Sequence, residues 1–337
     1  MTLLDKAMLK IIQHKVSHWF DMERSLKKVP NCIGAAKESP EKTWPDPNKI
    51  PLGGEIPFSL RNIFVVGRYL KSCIHQGVIS IKSLKENPTT PQSTISPKNL
   101  QAFESYAKSM GVGAIGYAKL PRNLIFKDRA VLYDNVIVLL KEMDKDKIAK
   151  APSIDTFRMV FETYDSLGKD ANVLTKYLRQ QGYGAQAGHP LGGLTLYPPL
   201  ATDAGLGWMG RHGLLITPQF GPRQRIAAIF TSIDNLPIKE NQTHSWIADF
   251  CKNCGHCIRS CPSQAILEKP LIHESGRQTH ITREKCLPVF VNKQGCSICV
   301  KECPFSKTSY ENIYKAFSQN SSKHINNNQE LKTNIIE

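Results

Sequence analysis

The sequence predicts an α/β domain followed by a smaller, cysteine-rich domain. Helical and strand patterns alternate through the middle of the chain, which is typical of an α/β arrangement. Eight of the ten cysteines lie close together near the C-terminal end, between Cys251 and Cys303. The chain has 337 residues, of which 41% are hydrophobic, so it is long enough for one large or two modest domains.

The N-terminal segment, residues 1–54, is predicted to be a helix followed by a Pro-rich stretch. Its first residues mix charged and apolar side chains at helical spacing and lack the continuous apolar core of a secretory signal. No apolar run approaches the roughly 20 residues of a membrane span, and no twin-arginine pair stands near the start. We therefore expect a cytoplasmic protein without a membrane span.

The central region, residues 55–240, contains clear helix and strand patterns. In SPKNLQAFESYAKSMG, Ser96 suits a helix N-cap, Pro97 suits the first turn and Gly111 suits the end. The segments VGAIGYAKL and NVIVLLKEM are predicted strands, and DANVLTKYLRQQG is a predicted helix that closes at Gly182.

A glycine-rich turn, AGLGWMGRHG, fits the pattern G-x-G-x-x-G at Gly205, Gly207 and Gly210. A dinucleotide site would need a strand before these glycines and a helix after them. Pro198 and Pro199 break a preceding strand, and the following LLITPQFGPR predicts a strand and turn. The pattern therefore disfavours a nicotinamide cofactor. Glycine would still allow backbone to approach a ligand closely, and a ligand-free surface loop is the alternative.

The cysteines form two similar runs that each end in Cys-Pro. The first is C-x2-C-x2-C-x3-C-P, the bacterial ferredoxin pattern, and the second repeats it with the first gap widened to nine residues. Because the fourth cysteine of such a run reaches the other cluster, we predict two 4Fe-4S clusters. Cluster one is assigned to Cys251, Cys254, Cys257 and Cys303, and cluster two to Cys261, Cys286, Cys296 and Cys299.

Two points about these cysteines stay open. The wide gap leaves the ligand role of Cys286 undecided. Zinc is the alternative metal, but zinc sites usually pair two C-x2-C units across a spacer, and a doubled triplet differs from that pattern. Cys32 and Cys73 stand apart and are predicted to be buried thiols without a role.

The formal net charge of +15 fits nucleic acid, an anionic partner, or compensation for negatively charged clusters. No basic block dominates the chain, and aromatic residues make up only 8% of it. Charge therefore does not require a nucleic-acid substrate.

The segment YPPLATDAGLGWMGRHGLLITPQFGPRQR, followed by DFCKNCGHCIRSCPSQAI and CSICVKECPFS, resembles the corrinoid iron–sulfur reductases. This group holds the reductive dehalogenases and the epoxyqueuosine reductases. The resemblance runs from roughly Leu100 to Ser306 and is closer to the dehalogenase branch, which EMDKDKIAKAP also resembles. It implies base-off cobalamin in a nitroreductase-like α/β (α+β) domain over 55–240 and a ferredoxin-like domain with two clusters over 241–306. The tail over 307–337 is polar in composition and is expected to be frayed or peripheral.

The resemblance also implies functional residues. Those expected to surround the corrinoid are Gly205, Gly207, Trp208, Gly210, Arg211 and Gly213. Tyr164 matches the proton donor of dehalogenases, which lies just before the helix ending at Gly182, and Arg225 would stabilise its phenolate. His189 is expected to replace a polar Asn found in some dehalogenases. An ordinary half-buried tyrosine and a solvated basic surface are the alternatives.

The implied reaction passes electrons through both clusters to cobalt and reduces a small substrate, with an organohalide as one candidate. An external donor such as ferredoxin or flavodoxin would supply the electrons. Epoxyqueuosine in tRNA is disfavoured, because the chain ends about 34 residues after Cys303, too short for a helical-repeat extension, and no catalytic Asp segment is evident. An electron carrier or corrinoid-reducing activator without its own substrate is the third alternative.

Overall fold

The computed structural model describes residues 3–42, 60–239 and 242–319. Its helices are α1 (Leu3–Ser25), α2 (Leu60–Lys82), α3 (Pro97–Ser109), α4 (Lys145–Ala149), α5 (Ile154–Gln180), α6 (Tyr197–Asp203), α7 (Trp246–Cys254), α8 (His256–Arg259), α9 (Arg283–Asn292), α10 (Ile298–Lys301), α11 (Pro304–Lys307) and α12 (310–319). Its strands are β1 (Ile33–Gly34), β2 (Ala114–Lys119), β3 (Ala130–Val131), β4 (Asn135–Glu142), β5 (Ala185–Gly188), β6 (Trp208–Met209), β7 (Leu215–Ile216), β8 (Gln224–Thr231), β9 (Ile266–Ile272) and β10 (Gln278–Ile281).

A four-stranded sheet with strand order β2-β4-β8-β5 forms the centre of the larger part. All its neighbouring pairs are antiparallel, so the predicted α/β (α+β) class takes the α+β form. In β4 the run Val136–Leu140 is 0% exposed, because helices cover one face and α6 with the N-terminal segment covers the other. Burial on both faces explains why this strand is a continuous apolar run instead of an alternating one.

The long helix α5 covers one face of the sheet. Leu167, Ala171, Leu174 and Leu178 are buried against it. The helix begins after Ser153, whose Oγ accepts a hydrogen bond from the Thr156 amide at 3.2 Å. The predicted helix DANVLTKYLRQQG is therefore only the C-terminal half of a 27-residue helix.

The segments around α3 and α6 follow local sequence signals. As predicted, Ser96 caps α3 by accepting a hydrogen bond from the Asn99 amide at 3.2 Å. Pro198 and Pro199 stand in the first turn of α6, where proline is tolerated because its missing N–H would have no helical partner. The prolines thus open a short helix directly before the glycine-rich turn.

A buried network of ion pairs ties α1 and Lys42 to Arg129, which directly precedes β3. The Glu23 carboxylate accepts hydrogen bonds from Arg129 Nε at 2.8 Å and Lys42 Nζ at 2.5 Å. Burial raises the pKa of Glu23 and lowers that of Lys42 to about 8. The predicted N-terminal helix is α1, whereas most of the predicted Pro-rich stretch, residues 43–59, lies outside the described residues.

The predicted polar tail does not start as loose chain at residue 307. In α12, Ile313 is 6% exposed and Tyr310 packs against Trp246 of α7, with ring centroids 5.2 Å apart. The Trp246 Nε1–H donates to the Tyr310 hydroxyl at 2.8 Å. Apolar and aromatic residues at helical spacing within this polar segment anchor it, and 320–337 lie outside the described residues. Across the described ranges, no helix is long and apolar enough to cross a membrane.

Candidate iron–sulfur site and adjoining cavity

The four cysteines predicted for cluster one come together around one small cavity. Cys251 and Cys254 lie on α7, Cys257 lies on α8 and Cys303 precedes α11. Gly255, between α7 and α8, has φ +59°, a left-handed conformation that turns the chain so that both helices present thiols to the same space. Arg211 and His212 of the glycine-rich turn also line this cavity.

Burial favours the neutral form of three thiols of this set, those of Cys251, Cys257 and Cys303. Burial raises the pKa of Cys251 and of Cys257 to about 11, and raises that of Cys303 well above its ordinary value. The backbone amide of Arg211 hydrogen-bonds the Cys251 sulfur and partly opposes this rise. Loading of a cluster must therefore release protons, because thiolates and not thiols are the ligands.

The second set also comes together, with Cys286 among its members. Burial raises the pKa of Cys286, and the charges of Cys296 and Cys261 raise it further, so the three sulfurs are neighbours. Burial raises the pKa of Cys299 to about 12, with contributions from Cys296 and Cys286. Burial alone would raise the pKa of Cys261, but the Ser263 hydroxyl and nearby backbone amides outweigh it and lower the pKa.

The two sets repeat each other in backbone geometry. Cys254-Gly255 and Cys296-Ser297 occupy equivalent places in the two motifs, and Ser297 has φ +60°, almost the value of Gly255. The side chains do not meet at single points, since among the described residues no three Cys, His, Asp or Glu could share one metal ion. A four-iron cube takes one thiolate on each iron, so its ligands stand apart in this way.

A cavity of about 750 Å³ adjoins the first cysteine set. Its walls are α6, the glycine-rich turn and the hairpin of β9 and β10, and it reaches Cys251 at the start of the cluster region. Four of the six predicted cofactor-binding residues line it: Trp208, Gly210, Arg211 and Gly213. Gly205 and Gly207 are absent from the lining formed by the described residues.

The structure explains separately why a glycine stands at each of these positions in the turn. A Cβ on Gly207 would lie 2.1 Å from the Ile216 carbonyl oxygen, so this glycine lets β6 pack against β7. A Cβ on Gly210 would lie 2.6 Å from Ile216 Cδ1. Gly205 and Gly213 have φ +70° and +71°. Close packing of the hairpin therefore explains Gly207 without any ligand, contrary to its expected contact with a cofactor.

Several polar atoms along the cavity have no partner among the described residues. They are Ser275 Oγ, Arg277 Nε and the ring nitrogen of His280 that does not face the Arg211 backbone, and each is buried. On the opposite wall, burial raises the pKa of Asp203 to about 6. Since buried polar groups in proteins are normally hydrogen-bonded, this lining fits a large ligand with polar groups on its periphery.

The predicted catalytic residues Tyr164 and Arg225 lie together, apart from the residues that line this cavity. The Arg225 guanidinium carbon stands 4.3 Å from the centroid of the Tyr164 ring, a cation–π arrangement. Tyr164 lies inside α5 and not before it, which corrects the position implied by the resemblance, because α5 starts ten residues earlier, at Ile154. Its apolar surroundings include Leu214 and Cys299.

His189 does not join this pair. Its ring is 3% exposed, packs edge-on against Trp19 with centroids 5.7 Å apart, and makes its hydrogen bonds through Nδ1 to the backbone of Leu191. Burial lowers the pKa of His189 to about 4. A Cβ on Gly168 would lie 2.1 Å from His189 Nε2, so the imidazole fills the space that this glycine leaves in α5.

Sequence reasoning missed His212 and the polar face of the β9–β10 hairpin. His212 stands between two predicted cofactor residues in GRHG, which was the available signal. The hairpin residues Ser275, Arg277 and His280 lie in an exposed-looking polar segment between the cysteine runs, and no local pattern shows that it folds over the glycine-rich turn.

Comparison with known families defines the class of the cysteine-rich part. Residues 250–307 match the family of 4Fe-4S dicluster domains, a span that holds all eight clustered cysteines. The prediction of two 4Fe-4S clusters is thereby confirmed for this part of the chain.

Individual relatives extend the similarity upstream. A tetrachloroethene reductive dehalogenase of Desulfitobacterium hafniense is 32% identical over 215 residues, covering 58% of this chain and 37% of that protein. One from Sulfurospirillum multivorans is 27% identical over 266 residues, covering 64% and 52%. An epoxyqueuosine reductase of Synechocystis sp. is 33% identical over 117 residues, covering 32% and 38%. The predicted resemblance to both groups is confirmed, and the chain spans 37% to 52% of the length of these relatives.

Solved structures show the same fold. The catabolic reductive dehalogenase NpRdhA matches with a TM-score of 0.61 at 18% identity, covering 85% of this chain and 45% of that one. Another reductive dehalogenase structure, described as suggesting a mechanism for B12-dependent dehalogenation, matches with a TM-score of 0.60 at 18% identity, covering 86% and 45%. The predicted fold, an α+β part followed by a ferredoxin-like part, is confirmed.

Proposed function

We propose that this chain is an iron–sulfur reductase that binds a corrinoid in the cavity beside cluster one. One observation carries the proposal: Cys251 and Arg211 line both the four-cysteine pocket and the 750 Å³ cavity. A ligand in the cavity would therefore contact a cluster ligand directly. The similarity to reductive dehalogenases supports a corrinoid as that ligand.

The cavity walls suit this ligand. Gly210 and Gly213 leave the turn without side-chain bulk, and Trp208 offers an aromatic face. Ser275, Arg277 and His280 bring unpartnered polar atoms from the hairpin, which would hydrogen-bond the amide groups at the corrinoid edge. When bound, the corrinoid supplies the reducing metal centre for bond cleavage.

The burial of the cysteines suggests the direction of electron flow. Cys257 and Cys303 of cluster one are buried, whereas all four cysteines of cluster two are half-buried. The two sets are adjacent, since the charge of Cys257 affects the pKa of Cys299. We propose that an external reductant delivers electrons to cluster two, and that cluster one passes them to the cavity.

We further propose that Tyr164 donates the proton that completes reductive cleavage of a small substrate. The guanidinium of Arg225, over the ring, would stabilise the phenolate left after transfer. Tyr164 and Leu214 pack against the same hydrophobic cluster, and Leu214 lies one residue beyond the turn that lines the cavity. His189 is too enclosed by Trp19 and α5 to share this role, so we assign it to the packing of α5.

A variant that fills the cavity tests the proposal. Thr202 lies on α6 and lines the cavity, so Thr202→Trp should abolish corrinoid retention after anaerobic reconstitution while iron and sulfide contents stay unchanged. Val173→Trp, at an exposed position on α5, is the matched control and should retain the corrinoid. Retention by Thr202→Trp at the control level would show that the corrinoid, if bound, lies elsewhere.

A further inference from the structure

His212 is buried between the glycine-rich turn and cluster one. Its side chain is 1% exposed and lines the same small cavity as Cys251, Cys254, Cys257 and Cys303. A Cβ on Gly210 would lie 2.9 Å from His212 Cε1, so Gly210 leaves the space in which the imidazole sits. The ring is thus held in place by the turn on one side and faces the cysteine set on the other.

The hydrogen bonds of His212 define its tautomer. Nδ1 accepts a hydrogen bond from the Leu214 amide at 3.2 Å. The proton of the neutral ring must then reside on Nε2. That Nε2–H is buried and has no hydrogen-bond partner among the described residues.

An unsatisfied buried donor is destabilising, so a partner from outside the described chain is expected. The only acceptors that the four-cysteine pocket would gain on cluster assembly are sulfur atoms. We infer that His212 Nε2–H donates a hydrogen bond to a sulfur of cluster one and thereby raises the reduction potential of that cluster. His212 is a positioning residue in this account, because it acts on the cluster and not on the substrate.

The expected rise in the reduction potential of cluster one has an electrostatic basis. Reduction adds an electron to an already negative cluster, and an N–H dipole directed at a sulfur stabilises the reduced form more than the oxidised form. The Arg211 amide, which hydrogen-bonds Cys251, acts on the same cluster from the neighbouring residue. The inference rests on the cysteine ligand set of cluster one and does not depend on the corrinoid.

The test is a redox titration of corrinoid-free protein with both clusters assembled, in which electron paramagnetic resonance measures the reduced clusters. His212→Met removes the donor, and one of the two cluster potentials should become more negative. We expect the ratio of reduced to oxidised cluster at the wild-type midpoint to fall about tenfold, which is about 59 mV for one electron. His212→Gln, which keeps an N–H at similar reach, should restore most of the shift.

His75→Met, at an exposed position on α2, is the matched control and should change neither potential. Unchanged potentials in His212→Met, or equal shifts in the Met and Gln variants, would overturn the inference. If His212→Met fails to assemble, wild-type protein with ¹⁵N-labelled histidine decides the question. Pulsed resonance of the reduced protein should show a ¹⁵N coupling to one cluster that is absent from the equally labelled His212→Gln variant, and an unchanged coupling in that variant, in which His256 still lies between two ligands of cluster one, would overturn the inference. Because no corrinoid is present, failure here leaves the proposed function untouched.

Discussion

Tyr164 and Arg225 were each selected from the sequence by resemblance, and the fold brings them into contact across α5 and β8. The resemblance had already paired them, with Arg225 expected to stabilise the Tyr164 phenolate, although 60 residues lie between them along the chain. The same resemblance selected His189, whose ring is buried against Trp19 and closed off from solvent. At the scale of single residues, the resemblance therefore selected residues with suitable chemistry. Only the three-dimensional packing showed that Tyr164 and Arg225 lie together and that the His189 imidazole does not join them.

The proton-donor role of Tyr164 predicts a specific loss of turnover. Tyr164→Phe removes only the hydroxyl, so both clusters and the corrinoid should be retained, while turnover falls by on the order of 10²–10⁴. Tyr177→Phe, on the same helix α5 but against the sheet core, is the control and should keep activity. Turnover of Tyr164→Phe close to that of the control would remove this tyrosine from the mechanism.

Because the His189 imidazole is buried, we predict that the stability of the folded chain depends on pH. Its pKa lies near 4 in the folded chain against an ordinary 6.5, so between these values the unfolded chain binds more protons. The stability contribution is therefore present above pH 6.5 and is lost as pH falls. From these two pKa values the loss between pH 7 and pH 5 is about 2 kcal/mol, since one pKa unit corresponds to about 1.4 kcal/mol.

His189→Asn keeps an acceptor near the Leu191 amide and cannot titrate in this range. The free energy of unfolding, measured by denaturant at pH 7 and pH 5, should fall by about 2 kcal/mol less in this variant than in the wild type. His18→Asn, at an exposed position on α1, controls for the removal of an imidazole. Equal falls in wild type and His189→Asn would contradict the burial argument.

Local signals predicted individual elements well where a single segment determines them. The cap at Ser96, the strand run of β4 and the cysteine spacing each depend on neighbouring residues, and each appears in the structure. The first half of α5 was missed, because the sheet beneath the helix determines which of its side chains face the core, and neighbouring residues do not. The cavity was missed because its walls come from α6, the glycine-rich turn and the β9–β10 hairpin, which are distant in sequence.

The hairpin of β6 and β7 predicts a severe effect at Gly207. Gly207→Val would place Cβ 2.1 Å from the Ile216 carbonyl oxygen, a backbone atom that cannot move aside alone. We expect the free energy of unfolding to fall by at least about 2 kcal/mol, with loss of iron and corrinoid together. Gly34→Val is the matched control, since nothing lies within 4 Å of a Cβ there. Selective loss of corrinoid in Gly207→Val, with normal stability, would instead favour direct contact with the cofactor.

The whole molecule combines a cluster domain of a known family with an α+β part whose ligand is proposed. The net charge of +15 left nucleic acid, anionic partners and cluster compensation as alternatives, and charge alone could not choose among them. The adjacency of cluster one to the large cavity supports the proposed reductase function, because an electron-transfer chain that ends at a ligand-sized space is suited to reducing what that space holds. A pure electron carrier would not need the cavity with its unpartnered polar lining.

The most direct test of this account is the spin interaction between cluster one and a bound corrinoid. The wild-type chain, reconstituted anaerobically with iron, sulfide and cobalamin, should hold about eight iron atoms, as expected for two 4Fe-4S clusters, and one corrinoid. Its cobalt resonance should broaden when the clusters are reduced, and the Thr202→Trp variant should lack the cobalt signal. Full iron content without retained corrinoid, or a cobalt signal that is insensitive to cluster reduction, would contradict the account.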